Sequence, residues 1–293
     1  MPERLPKHSF YEIALQGPSP ESDALARARA FFLTQGFQTQ DLVYFNAKGK
    51  FRLCVYTRSP QKMRALQQGY AGERLQRMKI KVSLLGQKDW LDKWRLDYRI
   101  RPLGARCILI PQNHREKFRP GKRHPIFLEP HAAFGTGTHE TTRFMIRLLE
   151  SLQGKFAHFM DAGTGTGILA VAAWRLGAKT ILGIDIEGHA VITARENLRL
   201  NGCEHAKFQR VSLGQLKTQE HFDLVAANLM TNVLIRDRLI LSRLVRKGGY
   251  LAVSGISLPH FEAFKKAFAQ PRLRCRRILK GKGWVALLYQ CIK

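Results

Sequence analysis

The feature that most constrains the fold is a glycine-rich segment between an apolar run and an alanine-rich one. Residues 156–160 are mostly apolar, Asp161-Ala-Gly-Thr-Gly-Thr-Gly167 follows, and residues 168–176 have helical character. Glycine adopts positive φ readily and lets a ligand approach the backbone amides closely. The free amides and the positive end of the helix dipole would face that ligand. The segment therefore predicts a strand, a ligand-binding turn and a helix.

Two more predicted strands end in polar residues. Residues 179–185 end in Asp185, which follows Gly163 at about the 20-residue offset where an acidic residue binds a ribose. Residues 221–227 form an apolar run that ends at Asn228. Because ligands bind at the carboxyl edge of open α/β sheets, we expect a nucleoside-bearing ligand between Gly163, Gly165 and Asp185, with Asn228 at the same edge.

The rest of the chain predicts two domains. Residues 1–85 predict the order β-α-β-β-α-β, which is typical of a small ferredoxin-like α+β domain that binds a substrate. Residues 86–104 contain Trp90 and Trp94 on one face of a short charged helix, and we interpret them as a linker. Residues 105–293 alternate strands and helices as a doubly wound sheet does, and they end in an antiparallel hairpin.

Composition limits the setting. The 49 Lys and Arg against 22 Asp and Glu give a formal charge of +27. This charge indicates either a polyanionic partner such as RNA or an organism whose proteins are basic in general. The five cysteines show neither a CxxC pair nor a zinc-type spacing, so we expect no metal site. The N-terminus has no apolar segment typical of a signal peptide, and no run reaches about 18 apolar residues. We therefore expect a cytoplasmic protein that does not span a membrane.

A threonine-rich loop precedes the first helix of the second domain. It reads Ala133-Phe-Gly-Thr-Gly-Thr-His-Glu-Thr-Thr142. Thr138 or His139 can cap that helix, since such side chains accept hydrogen bonds from free amides. His139 is alternatively a polar wall of the ligand site. We do not interpret it as a catalytic base, and the sequence alone indicates no catalytic residue.

The glycine turn has the spacing GxGxG, whereas dinucleotide-binding proteins have GxGxxG. Together with Asp185, Asn228 and the terminal hairpin, it resembles class I S-adenosylmethionine-dependent methyltransferases. Over roughly residues 87–257 the chain more narrowly resembles the PrmA family, bacterial methyltransferases that modify ribosomal protein L11. The matching motifs include the threonine-rich loop, Gly183-Ile-Asp185, Ala194-Arg-Glu-Asn197 with Asn201-Gly202, and Ala227-Asn228.

This resemblance implies a fold, a cofactor and a substrate. It implies an N-terminal ferredoxin-like domain, followed along the chain by a class I methyltransferase sheet. It also implies S-adenosylmethionine contacts at Thr142, Gly163, Asp185 and Asn228. It implies methyl transfer to amino groups of a ribosomal protein, at lysine side chains or the N-terminus, with rRNA or the ribosome as a further contact of the basic surface. The segment after Asn228 reads Leu-Met-Thr-Asn-Val, where the family has Ile-Leu-Ala-Gly-Pro.

Two alternatives to protein methylation are open. A nucleic-acid N-methyltransferase would agree with the positive charge. Such enzymes usually follow the strand-end Asn or Asp with Pro-Pro and an aromatic residue, whereas Leu-Met-Thr follows Asn228. A non-catalytic RNA-binding or ribosome-assembly protein would keep the fold without the reaction, and a measured cofactor affinity would distinguish it.

Overall fold

The computed structural model divides the chain into two units. The first comprises Met1–Leu96 and the second Asp97–Lys293. No helix in the described part of the chain is long and apolar enough to cross a bilayer. The residues that the structure describes are 10–17, 23–37, 42–47, 50–57, 59–72, 78–85, 99–116, 118–119, 121–129, 135 and 137–292.

The first unit contains a four-stranded antiparallel sheet and two helices. The strand order is β2-β3-β1-β4, and each neighbouring pair is antiparallel. The sequence predicted the same alternation of strands and helices in this region. The elements are β1 (Phe10–Gly17), α1 (Asp23–Thr34), β2 (Val43–Ala47), β3 (Lys50–Thr57), α2 (Pro60–Gly72) and β4 (Lys79–Leu85).

The two faces of this first sheet have different chemistry. Ile13 of β1 and Phe31 of α1 lie in one apolar cluster, to which α2 also contributes. Side chains alternate between faces along a strand, so the neighbouring Glu12 lies on the opposite face. Glu12 is buried, forms an ion pair with Arg52 and accepts a 3.0 Å hydrogen bond from the Tyr56 hydroxyl. A polar network thus holds β1 to β3 on the side away from the apolar core.

The second unit begins with a small three-stranded sheet. Its strands are β5 (Arg101–Pro102), β6 (Cys107–Pro111) and β7 (His124–Leu128), with β6 central, antiparallel to β5 and parallel to β7. The sequence predicted β6 and β7 but neither β5 nor a separate sheet. Of the predicted linker, residues 86–98 lie outside the described residues.

A seven-stranded sheet follows. Its strand order is β10-β9-β8-β11-β12-β14-β13. The pairs from β10 to β12 are parallel, and β14 is antiparallel to both of its neighbours. The remaining elements are α3 (Glu140–Glu150), β8 (His158–Ala162), α4 (Ile168–Arg175), β9 (Thr180–Asp185), α5 (Gly188–Leu200), β10 (Lys207–Arg210), β11 (Phe222–Asn228), α6 (Thr231–Arg236), α7 (Arg238–Leu244), β12 (Val245–Ser257), α8 (Phe261–Phe268), β13 (Leu273–Lys280) and β14 (Trp284–Cys291).

This strand order places the ligand-binding edge. The chain runs from β8 outward to β9 and β10, and then returns to β11 on the other side of β8. The order of strands reverses at β8, and ligands of open α/β sheets bind in the crevice outside the carboxyl ends at such a point. The glycine turn follows β8, so the topology positions the predicted site.

Both faces of the large sheet are covered, as expected of a mostly parallel sheet. Phe159 of β8 packs in the cluster that holds α3, α4 and α5, whereas the next residue, Met160, packs in the cluster that holds α7 and α8. Buried alanines of α4, including Ala170 and Ala172, let that helix lie close to the sheet behind the glycine turn. The predicted doubly wound sheet and its terminal antiparallel hairpin are therefore confirmed.

The sequence did not predict three local features. The helix expected after Asn228 is two short helices, because the chain leaves helical geometry at Asp237. The turn predicted at residues 247–249 is a bulge within β12, where Gly248 has a φ of 77° and the register with β11 shifts. Helix α8 was not predicted, although its buried Phe261, Phe264 and Phe268 have helical spacing.

Candidate functional site

The glycine turn is anchored on the neighbouring strand. Gly163, Gly165 and Gly167 have φ values of 76°, 53° and 78°, a region that side-chain-bearing residues disfavour. The amides of Gly163 and Thr164 both donate to the carbonyl oxygen of Ile184, at 2.9 and 3.0 Å. The end of β9 thus shapes the turn, and α4 begins directly after it.

The Asp185 carboxylate lies against this turn. Its Oδ2 accepts a 2.9 Å hydrogen bond from the amide of Gly165, and its Oδ1 accepts a 3.1 Å bond from the amide of Glu187. Each carboxylate oxygen can accept a second hydrogen bond. The structure therefore brings Gly165 and Asp185 together, as predicted, and leaves the partly exposed carboxylate able to accept bonds from a diol. The next side chain, Ile186, is 67% exposed and forms an apolar surface there.

Two of the buried oxygen atoms that have no hydrogen-bond partner among the described residues are Thr142 Oγ1 in the first turn of α3 and Asp161 Oδ1 on β8, two residues before Gly163. The Thr142 side chain is 1% exposed. A buried polar group without a partner costs about 1–3 kcal/mol. A ligand hydroxyl, amine or bridging water would remove this cost, so these atoms fit a polar cofactor.

Asp161 was not predicted as a site residue. Its Oδ2 accepts a 2.9 Å hydrogen bond from Thr164 Oγ1, inside the turn. Burial raises the pKa of Asp161 to about 7, and the nearby negative charge of Asp185 adds to the rise, while the bond from Thr164 opposes it. Its position at the first residue of the glycine-rich segment was the available signal.

Asn228 is joined to the threonine-rich loop by a directed hydrogen-bond chain. Asn228 Nδ2 lies 3.3 Å from Thr141 Oγ1, which lies 2.8 Å from His139 Nδ1. The backbone amide of Thr141 also donates to His139 Nδ1, at 3.4 Å, as a helix cap. An amide can only donate, so Nδ1 carries no proton. The Thr141 hydroxyl then donates to Nδ1 and accepts from the Asn228 amide.

This chain fixes which side of the Asn228 amide is presented outward. Because Nδ2 bonds Thr141, the opposite atom, Oδ1, is left to accept a hydrogen bond elsewhere. Burial lowers the pKa of His139, with Glu140 raising it and Arg143 lowering it. His139 therefore stays neutral near neutral pH, which preserves the direction of the chain. The interpretation of His139 as a helix cap is confirmed.

The C-terminal hairpin closes this side of the site. The indole ring of Trp284 meets the His139 ring edge-on at a centroid distance of 5.1 Å. The Glu140 carboxylate accepts bonds from the amides of Lys282 and Gly283, at 3.3 and 3.4 Å, in the turn between β13 and β14. The start of α3 is thus held by the last hairpin, and Trp284 is a residue that sequence reasoning missed.

The segment after Asn228 also reaches the glycine turn. A Cβ atom on Gly163 would meet the Leu229 side chain, and one on Gly255 of β12 would meet the Leu229 backbone. The Thr231 hydroxyl donates to the carbonyl oxygen of Gly255 at 3.1 Å. Glycine at both places lets the strand-end segment lie between the turn and β12. Met230, between these contacts, is 53% exposed.

Two asparagines of α5 tie the loop before α3 to the turn. Asn197 Nδ2 donates to the Thr166 carbonyl at 2.9 Å, and Asn197 Oδ1 accepts from the Glu129 amide at 3.0 Å. Thr166 Oγ1 donates to the Gly135 carbonyl at 2.7 Å. One turn of helix later, Asn201 bonds both backbone groups of Phe127 on β7. Residues 133, 134 and 136 of the predicted loop lie outside the described residues.

Comparison with known proteins decides the family. The sequence profile described as "Ribosomal protein L11 methyltransferase (PrmA)" matches residues 26–291. The chain belongs to this family. The PrmA relative from Geobacter sulfurreducens is 38% identical over 210 residues, which cover 71% of this chain and 68% of the relative. The relative from Desulfosudis oleivorans is 31% identical over 272 residues, which cover 90% of this chain and 83% of the relative.

A solved structure agrees with this assignment. The ribosomal protein L11 methylase of Lactobacillus delbrueckii subsp. bulgaricus aligns with a TM-score of 0.61 at 29% identity, over 67% of this chain and all of that one. The chain is thus a class I methyltransferase that uses S-adenosylmethionine, as the PrmA resemblance predicted. No group of three or more potential metal ligands occurs in the part of the chain that the structure describes.

Proposed function

We propose that this PrmA-family chain transfers methyl groups from S-adenosylmethionine to amino groups of ribosomal protein L11, on lysine side chains or the N-terminus. The relatives and the solved neighbour carry that substrate in their names. The observation that supports this reaction is the series of hydrogen bonds from His139 through Thr141 to Asn228. These bonds leave Asn228 Oδ1 as a hydrogen-bond acceptor at the strand edge. An acceptor there suits the N–H of an amine.

The proposed cofactor site uses the residues expected from the sequence. The turn at Gly163 and Gly165 surrounds the methionine part of S-adenosylmethionine, the Asp185 carboxylate accepts bonds from the ribose hydroxyls, and the buried Thr142 hydroxyl supplies a further polar contact. Asn228 lies between this cofactor and the target amine. The support is that these groups border one sheet edge and that Thr142 Oγ1 has no protein partner among the described residues.

When bound, S-adenosylmethionine would supply a methyl carbon activated by its positively charged sulfur, and the target amine would be the group that takes up this methyl. A nitrogen–carbon bond forms, the sulfur–carbon bond breaks, and the amine loses one proton to solvent. A free lysine amine has a pKa of about 10.4 and is therefore mostly protonated at neutral pH. It must lose that proton before its nitrogen lone pair can attack. Oδ1 of Asn228 accepts one amine N–H and thereby aims the lone pair of the amine away from itself. Orientation of this kind accounts for roughly 7–11 kcal/mol without a dedicated base.

The wider proposal concerns partners. The ferredoxin-like N-terminal unit, residues 1–85, recognises the substrate protein, and residues 86–104 link it to the methyltransferase domain, residues 105–293. A charge of +27 favours contact with rRNA or the ribosome, where ribosomal proteins and RNA lie together. A cytoplasmic location follows from such a substrate.

The test is methyl transfer from tritiated S-adenosylmethionine to purified L11, beside protein-free rRNA as the rival substrate. We expect label in L11 and none in rRNA. Asn228→Ala should lower the turnover rate more than it weakens cofactor binding, since it removes the acceptor for the amine. Label confined to rRNA would instead establish the nucleic-acid methyltransferase, and lack of measurable cofactor affinity would establish the non-catalytic protein.

A further inference from the structure

Strand β13 forms one edge of the large sheet and gathers three arginines on one face. Arg274 lies opposite Gln290 of β14 and Arg277 lies opposite Leu288, so both share the face of these two partners. The register shifts between Cys275 and Arg277, which makes the residue between them, Arg276, the extra residue of a β-bulge.

The bulge decides where the third arginine points. Arg276 Nε donates to Gln290 Oε1 at 3.0 Å, so its side chain lies on the face of Gln290. In a regular strand, Arg276 and Arg277 would point to opposite faces, because side chains alternate. The bulge therefore places Arg274, Arg276 and Arg277 together, and all three are exposed.

Helix α3 extends this cationic face toward the methyl-transfer site. It packs on the same side of the sheet, in the apolar cluster that contains Leu288. Its exposed Arg143 and Arg147 are spaced i, i+4 and form one stripe with Glu140. Glu140 bonds the amide of Gly283 in the β13–β14 turn, so this stripe faces the hairpin. We define the arginine track as Arg143, Arg147, Arg274, Arg276 and Arg277.

No carboxylate forms an ion pair with the track within the described residues. The two acids of α3 are engaged by backbone: Glu140 bonds the hairpin turn, and the buried Glu150 accepts three amides of residues 105–107, at 2.8–2.9 Å. No Asp or Glu follows Glu262 in the sequence. The opposite sheet edge, around α5 and β10, mixes both signs: Arg195, Arg199 and Lys207 with Glu187, Glu196 and Glu204.

We propose that the arginine track binds the phosphate backbone of RNA, an inference that rests on the ribosomal setting of the proposed function and assigns it a surface. Arginine presents a planar fork of donors that matches phosphate oxygens, whereas edge strands that only resist pairing are usually protected by lysine. The track ends one helical turn from His139, so a bound RNA passes beside the site where the amine is methylated.

The test is a salt titration of RNA binding. The full-length protein binds a fluorescein-labelled oligouridylate, and anisotropy gives the affinity over a range of salt concentrations. Binding to single strands loses about 0.7 in the logarithmic salt slope for each phosphate neutralised. With five arginines engaged, the expected slope is about −3.5, so that a fourfold rise in salt weakens binding about a hundredfold.

Two variants with equal loss of charge test the location. R274Q/R276Q/R277Q should reduce the slope to about −1.4, whereas R195Q/R199Q/K207Q, on the opposite edge, should keep the parental slope. Equal weakening by both variants would refute a specific track, as would failure of the parent protein to bind RNA. Preferential binding of phosphatidylglycerol vesicles over the oligonucleotide would also refute it.

Cofactor binding and methylation of free L11 provide the fold control. Both activities should persist in R274Q/R276Q/R277Q, because none of its three residues contacts the proposed cofactor or amine site. RNA binding is measured without cofactor or L11, so it can succeed even if L11 proves not to be the substrate. If R274Q/R276Q/R277Q kept its cofactor affinity, the variant would be folded. Full RNA binding by that folded variant would refute the proposal.

Discussion

Replacement of Thr141 by valine tests whether the hydrogen-bond chain orients Asn228. Valine has nearly the same shape as threonine but lacks the hydroxyl. Thr141 is 1% exposed, and its hydroxyl both donates to His139 Nδ1 at 2.8 Å and accepts from Asn228 Nδ2 at 3.3 Å. The variant thus removes both hydrogen bonds and leaves His139 Nδ1 with the longer bond from the residue 141 amide.

The size of the effect follows from these bonds. A neutral hydrogen bond contributes about 0.5–1.5 kcal/mol net. Without the bond to Thr141, the Asn228 amide can present either Nδ2 or Oδ1 to the amine, and only Oδ1 accepts an amine N–H. Loss of this bond energy, about 0.5–1.5 kcal/mol, lowers kcat roughly twofold to tenfold. The proposed cofactor contacts at Gly163 and Asp185 are untouched, so the affinity for S-adenosylmethionine should change less than twofold, within about 0.4 kcal/mol.

The assay is steady-state transfer of tritium from S-adenosylmethionine to L11, with the cofactor Kd measured by calorimetry. Thr141→Ser is the matched control, because serine restores the hydroxyl and should recover most of kcat. If Thr141→Val kept a kcat within twofold of the parent, the orientation of the Asn228 amide would not depend on its hydrogen bond to Thr141. An equal loss in the serine variant would instead indicate a packing role for the threonine methyl group.

Three further predictions concern the turn and its surroundings. Thr142→Val should weaken cofactor binding about fivefold to tenfold, or about 1–1.4 kcal/mol, without lowering the melting temperature of the free protein, since it deletes an unpartnered buried hydroxyl; calorimetry and a thermal melt check both halves. Gly163→Ala should cost about 1–2 kcal/mol in urea unfolding, because residue 163 has a φ of 76°. Asp161 has a pKa raised to about 7, so its stabilising contribution is fully present below its unfolded pKa and is lost as pH rises toward 7. Asp161→Asn should therefore gain stability relative to the parent between about pH 4 and pH 7, and melts across that range that ran parallel would contradict the assignment.

The sequence predicted the parts of the site that depend on local patterns. The glycine turn needs positive φ at three nearby positions, and its glycines show this directly. Asp185 and Asn228 each end an apolar run, so their position at the carboxyl edge follows from strand alternation. His139 was predicted as a helix cap for a similar reason, because capping depends on residues two or three positions away.

The contacts that the sequence did not reveal join distant residues. Thr141 and Asn228 are 87 positions apart, and their bond exists only because β11 ends beside the start of α3. Trp284 reaches His139 through a hairpin whose order in the sheet, β14 before β13, no local pattern specifies. The bulge at Arg276 likewise depends on the register of β13 against β14 and not on the strand's own sequence.

These distant contacts connect the proposed amine site to the terminal hairpin. The direction of the chain from Asn228 to His139 depends on an unprotonated Nδ1, and that state depends on burial of the His139 ring. The Trp284 ring packs against the His139 ring, and Glu140 bonds the hairpin turn to the start of α3. If His139 were protonated, Nδ1 would donate to the Thr141 hydroxyl, and the hydroxyl proton would be released from Nδ1. Thr141 could then either donate to or accept from Asn228, so the direction of the Asn228 amide would no longer be fixed. In the proposed mechanism, the hairpin thus acts on the target amine indirectly, because it helps to keep Asn228 Oδ1 available as an acceptor.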